Sequence, residues 1–231
     1  MATMPRDELI DAVRRALGEA ADPARAPAMQ AYMKSEIPYY GVRLPDVRRI
    51  CRPIFAAHPL SSEGALDETV AELFVSATRR EERYAAIDLA GHRLYRSHQN
   101  PDRIPLYRRL VVEGRWWDTV DAIAPGLIGP ILLSHPEEVR PTVVDWATDD
   151  DMWLRRTAII VQLGAKARTD LELLATTIDA NSADPEFFVR KAIGWALRQY
   201  ARTDPEWVRA FVDARETQLS GLSKREARKH L

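Results

Sequence analysis

An Ala-Ile dipeptide returns along the chain at Ala86-Ile87, Ala122-Ile123, Ala158-Ile159 and Ala192-Ile193, at intervals of 36, 36 and 34 residues. Self-similarity at such a spacing marks stacked supersecondary units: one unit cannot bury its own apolar face, and neighbours bury it together. Five residues before each Ala stand Glu81, Trp117, Trp153 and Phe187, so three of the four units place an aromatic near the start of the same predicted helix. The interval fits paired helices of the HEAT or tetratricopeptide kind.

Runs with period-two alternation are missing and apolar residues recur at helical spacing throughout, so the chain reads as all-α. Helices are predicted over 5–18, 23–35, 45–57, 63–77, 80–97, 102–113, 116–133, 137–147, 150–165, 169–180, 185–202 and 205–217, about six antiparallel pairs. Asp184-Pro185-Glu186 and Asp204-Pro205-Glu206 each put Asp at an N-cap, Pro at the first helical position and an acid in the first turn. Stacked in this way the pairs make a superhelix, a curved slab with one helix layer lining a concave surface. No linker interrupts it, and residues 1–231 are read as one domain.

Composition narrows the function. With 46% hydrophobic residues in 231, the chain can bury a core, and disorder is excluded. A net charge of −1 argues against bulk-electrostatic binding of nucleic acid. Yet residues 181–231 hold ten Lys/Arg against seven Asp/Glu, enough for a local basic face, while 51–90 and 141–180 each stand at −3. The single Cys51 cannot form an internal disulfide and points to a reducing cytoplasm. The opening MATMPRDELIDAVRR places charges where a signal peptide needs an apolar stretch. The most apolar window, 122–133, is too short to span a bilayer and is broken by Pro125, Gly126, Gly129 and Pro130, so no membrane association is expected. There is no Gly-rich phosphate loop, HExxH, CxxC or GxSxG, and His58, His92, His98, His135 and His230 show no ligand spacing; neither a metal nor a cofactor is expected.

Three segments place polar and aromatic residues where a purely structural helix would not. In RWWDTVD and the residues after it, Val120, Ile123, Ala124, Leu127, Ile128 and Ile131 form one apolar stripe with a kink expected at Pro125. Trp117 and Asp121, four apart, flank that stripe as neighbours and present an indole beside a carboxylate. The alternative is a core Trp beside a capping or salt-bridged Asp. Asp118 and Thr119 fall on the opposite side, solvent-facing or capping. In MWLRRTAIIV the helix is apolar nearly all round except for Arg155 and Arg156. A desolvated guanidinium is costly unless it meets a carboxylate or a phosphate, so either a phosphate or an internal acid such as Asp150 or Asp151 is required. In FFVRKAIGWALRQY, Val189, Ile193, Ala196, Leu197 and Tyr200 make the buried stripe, and Trp195 lies roughly opposite, joined by Lys191, Arg198 and Arg202. An indole exposed among cations suits the sugar and base faces of a polyanion; the alternative is burial against a neighbouring repeat.

The runs RWWDTVDAIAP, DMWLRRTAIIVQL, FFVRKAIGWALRQYARTDPEWV and SKREARKH, in that order and spacing, resemble the AlkD family of bacterial DNA alkylation-repair glycosylases. The similarity takes in Ala31-Tyr32-Met33-Lys34 and residues 41–49, and so covers nearly the whole chain. It implies a HEAT-like α-superhelix cradling duplex DNA on its concave face. It further implies hydrolysis of the N-glycosidic bond of cationic alkylated purines, chiefly N7-methylguanine and N3-methyladenine, without drawing the base into a pocket. Asp121 becomes the catalytic carboxylate, with Trp117 and Trp195 flanking the lesion's sugar and backbone. Arg156 and Arg198 become DNA-backbone contacts and Tyr32 an aromatic near the lesion; charge and position add Lys191 and Arg190. The expected partner is double-stranded DNA, met by a monomer in the bacterial cytosol. The competing reading is a non-catalytic HEAT-like module that binds DNA structures or a protein.

Overall fold

A computed structural model describes residues 5–231, and among them the chain is all-helical, with fourteen α-helices and no strand. The N-terminal charge pattern weighed above begins in residues 1–4, which lie outside the described residues. The chain divides into two compact units, one ending at Gln99 and the other beginning at Asn100.

The first unit carries α1 (Pro5–Glu19), α2 (Ala26–Met33), α3 (Leu44–Ala57), α4 (Glu63–Val75) and α5 (Arg80–Ala90). Leu9, Val13 and Leu17 recur every four residues along one side of α1 and are fully buried. That side packs on α3, α4 and α5. The predicted helix over 80–97 stops instead at Ala90, where Gly91 closes it, and resumes as 3-10 turns over Arg93–His98. Glu81, the one non-aromatic at its repeat position, is fully buried and accepts the backbone N–H groups of Tyr40, Gly41 and Val42 at 3.0, 2.9 and 3.0 Å. It thereby fixes the loop entering α3. Gly41 is required in that loop: its φ is +90°, and a Cβ would stand 2.2 Å from the Asp22 carbonyl oxygen.

The second unit carries α6 (Ile104–Gly114), α7 (Trp117–Ile123), α8 (Gly129–Ser134), α9 (Pro136–Trp146), α10 (Met152–Ile160), α11 (Leu171–Asp179), α12 (Phe187–Tyr200), α13 (Pro205–Ala214) and α14 (Gly221–Ala227). The single helix expected over 116–133 is divided between α7 and α8 by a π-helical turn, Ala124–Ile128. Pro125 lacks the N–H an α-turn would use, and the wider turn absorbs that loss without interrupting the apolar stripe. All six stripe residues from Val120 to Ile131 are buried. The short helix α14 was not expected; Ser220 caps it, its hydroxyl accepting the Ser223 N–H. Central α10 packs against α6, α7, α9, α11 and α12, and α12 packs in turn on α14. No helix of the described residues is long and apolar enough to cross a membrane.

Candidate active site

Three helices of the second unit, α7, α10 and α12, each carry one of the Ala-Ile dipeptides, with all three isoleucines buried. Because the dipeptides hold the same depth in each helix, residues next to them meet across helices. The aromatic cluster at their N-terminal ends joins Trp116, Trp153 and Phe188, with ring centroids 5.0 to 6.1 Å apart. Trp116 precedes α7, whose first turn is held by the Thr119 hydroxyl donating to the Trp116 carbonyl and by the Asp118 carboxylate accepting the Thr119 N–H. Asp118 thus satisfies one first-turn N–H, and Thr119 is fully buried rather than solvent-facing or capping.

One turn beyond Trp117 stands Asp121. Its two oxygens receive Nε–H and Nη2–H of Arg156, both at 2.8 Å, and the Arg156 Nη1 donates to the Phe188 carbonyl. Arg156 is 4% exposed and Asp121 17%, so the pair is largely withdrawn from water. Burial pushes the Asp121 carboxyl above its ordinary 3.8, and the hydrogen bonds and charge of Arg156 pull it back. The Arg156 guanidinium also lies 5.9 Å from the centre of the Trp195 ring, a cation–π contact from the far side. Trp195 is half-buried on α12, as Trp117 is on α7. Asp121, Arg156 and Trp195, from three repeats, are thus brought into one cluster.

The other predicted residues hold different stations. Lys191 and Arg198 both donate to Glu226 of α14, at 2.9 and 3.0 Å, and Lys229 joins them at 2.7 Å. These cations hold the Glu226 carboxyl far below the usual range, at about 2, with the Lys229 hydrogen bond the leading cause. Arg190 donates to the Asp184 carbonyl, and Arg155 is bound to the Asp184 carboxylate and the carbonyls of Asp149 and Asp150. Tyr32 belongs to the first unit, on α2, and is 77% exposed. Among the described residues no three His, Cys, Asp or Glu side chains gather as a metal site.

A family model described as DNA alkylation repair enzyme matches residues 13–231. The chain belongs to the DNA alkylation repair enzyme family. A solved structure described as a predicted DNA alkylation repair enzyme from Enterococcus faecalis is similar to it, with 31% identity over 91% of this chain and 96% of that one, at a TM-score of 0.76. Comparison with curated proteins gives no match. The resemblance read from the sequence motifs therefore holds for the family and for the all-helical fold. Two features of this DNA alkylation repair chain were not legible in those motifs. One is that the acid facing Arg156 is Asp121 itself rather than Asp150 or Asp151. The other is Glu226, inside the SKREARKH run but assigned no role, which gathers the cations beside Trp195.

Proposed function

We propose that this protein is a monofunctional DNA glycosylase that hydrolyses the N-glycosidic bond of cationic alkylated purines, N7-methylguanine and N3-methyladenine, in duplex DNA. One observation carries the reading: a desolvated carboxylate, Asp121, gripped through both oxygens by one arginine, with Trp195 over the same guanidinium and Trp117 one turn away. A structural ion pair does not need two half-buried indoles around it.

The chemistry follows from the leaving group. An alkylated purine carries positive charge, so when the C1′–N bond breaks the electron pair neutralises the base, which departs without an added proton. The demanding part is the sugar, which takes on oxocarbenium character as in glycoside hydrolysis. Asp121 stabilises that cation, orients a water toward C1′ and accepts its proton as the new C–O bond forms, leaving an abasic site. Trp117 and Trp195 offer π-faces to the developing charge. Arg156 fixes both carboxylate oxygens, and a backbone phosphate reaching the small part of it left exposed would take one of the two N–H groups not spent on Asp121 and Phe188. Arg198, Lys191 and Arg190 supply further contacts to the backbone, and exposed Tyr32 a further aromatic contact to the DNA. The chain acts as one domain on duplex DNA, without taking the base into a pocket, as a monomer in the cytosol.

Release of free base from a duplex bearing one N7-methylguanine, by the wild type and not by Asp121→Asn, tests the reading.

A further inference from the structure

The first unit contains a cation cluster that the Asp121 site does not use. Arg48, Arg52 and Phe55 lie at i, i+4 and i+7 on α3 and share one face. Together with Asp88, Gly91, His92 and Arg93, at the end of α5 and just beyond, they line an open cavity of about 630 Å³. Three arginines thus face one carboxylate. The Nε of Arg48 stands 3.3 Å from each oxygen of Asp88, which accounts for one of the three positive charges. Arg52 and Arg93 are exposed, and neither makes a hydrogen bond or ion pair among the described residues.

His92 makes the cluster more than a solvated basic face. Its ring is wedged between Phe55 and Tyr95, with centroids 5.5 and 6.3 Å away. Both ring nitrogens are buried and have no hydrogen-bond partner. Buried polar atoms are normally paired, so a donor and an acceptor left open beside two free guanidinium groups ask for an outside partner. Burial, with Arg93 and Arg52 adding to it, keeps this imidazole below its ordinary 6.5, so at neutral pH it offers one N–H and one lone pair.

We propose that this cavity binds a phosphate group. Arg52 and Arg93 supply forked, charge-assisted hydrogen bonds, Arg48, tethered by Asp88, contributes field without moving, and a turn of the His92 ring out of its buried position adds a neutral donor. The net charge of three arginines against Asp88 suits a group with one or two negative charges and several acceptor oxygens. In DNA that group is a backbone phosphodiester, and this source rests on the function proposed above; inorganic phosphate is the second source and does not.

The full-length double variant Arg52→Ala/Arg93→Ala tests the site, because both side chains are exposed and its melting temperature should match the wild type. Two probes are applied. Inorganic phosphate is titrated while the His92 ring resonances are followed by NMR, and a short undamaged duplex is titrated by fluorescence anisotropy at several salt concentrations. For a phosphodiester site, the double variant should bind duplex about tenfold more weakly, with a salt slope smaller by about one. If duplex affinity is unchanged but phosphate shifts the His92 resonances in the wild type alone, the cavity is a free-phosphate site. No difference between wild type and variant with either probe overturns the proposal. Base release by the wild type is scored separately: its absence would count against the glycosylase reading and leave both titrations interpretable.

Discussion

The Arg156 guanidinium holds both oxygens of Asp121 at 2.8 Å from a position 35 residues further along the chain, in the next repeat. Neither side chain could be buried alone. Asp121 without Arg156 would be a desolvated carboxylate above its ordinary pKa, and Arg156 without Asp121 a buried guanidinium holding only a carbonyl.

Arg156→Ala should therefore destabilise the fold at neutral pH by about 2–4 kcal/mol, somewhat less than a fully buried pair because Asp121 keeps some contact with water. The sign of the pH dependence is set by the remaining carboxyl. With its folded pKa above the unfolded one, the ionised form disfavours the native state, so the deficit shrinks as pH falls toward 3.8. Urea melts of wild type and variant at pH 7 and pH 4 measure it. In base-release assays the acidic limb of the variant's pH profile should move to higher pH.

Glu226 gives the opposite slope. Its folded pKa of about 2 lies below the ordinary 4.5, so its ionisation stabilises the fold above pH 4.5, and that contribution is lost as pH falls toward 2. Glu226→Gln should be less stable than wild type at pH 7, and the gap should narrow in urea melts at pH 3.5. Equal stability at pH 7 would mean that Lys191, Arg198 and Lys229 gain nothing from it.

Gly194 sits where α12 meets α14, and a Cβ there would stand 2.3 Å from Glu226 Cβ and 2.8 Å from the Ser223 carbonyl oxygen. Gly194→Ala must push the two helices apart, at about 1–3 kcal/mol by the usual cost of overpacking. The expected readout is a lower melting temperature.

Trp195→Leu keeps an apolar side chain but removes the π-face. If that face stabilises a desolvated sugar cation by about 2 kcal/mol, single-turnover base release should fall by more than tenfold. An unchanged rate would reduce Trp195 to a packing role over Arg156.

Much of this arrangement could be read from the sequence because it depends on helical periodicity. The stripe from Val120 to Ile131 and the kink at Pro125 both follow from spacing and from the missing proline N–H, and the structure adds only that the kink is a π-turn. What spacing could not supply is the choice of partner across repeats. Arg156 pairs with Asp121 across the repeats, while the sequence-adjacent Asp151 is spent capping α10, where it accepts the Trp153 N–H. The aromatic row expected at Trp117, Trp153 and Phe187 shifts by one residue in two repeats. Phe188 lies about 100° round α12 from Phe187 and Trp116 stands on extended backbone before α7, so these two meet Trp153 while Phe187 remains 57% exposed. Glu226 gave no sign because a single acid in a basic run looks like ordinary surface until α14 folds against α12.

The most direct measurement is release of N7-methylguanine from a duplex carrying one such base, under single turnover, by wild type and Asp121→Asn at equal folded concentration. The wild type should release the base, with a loss of at least about a hundredfold in the variant and duplex affinity equal to or slightly above that of the wild type. Release at the same rate by both proteins, or by neither while both bind the duplex, would contradict the proposed function.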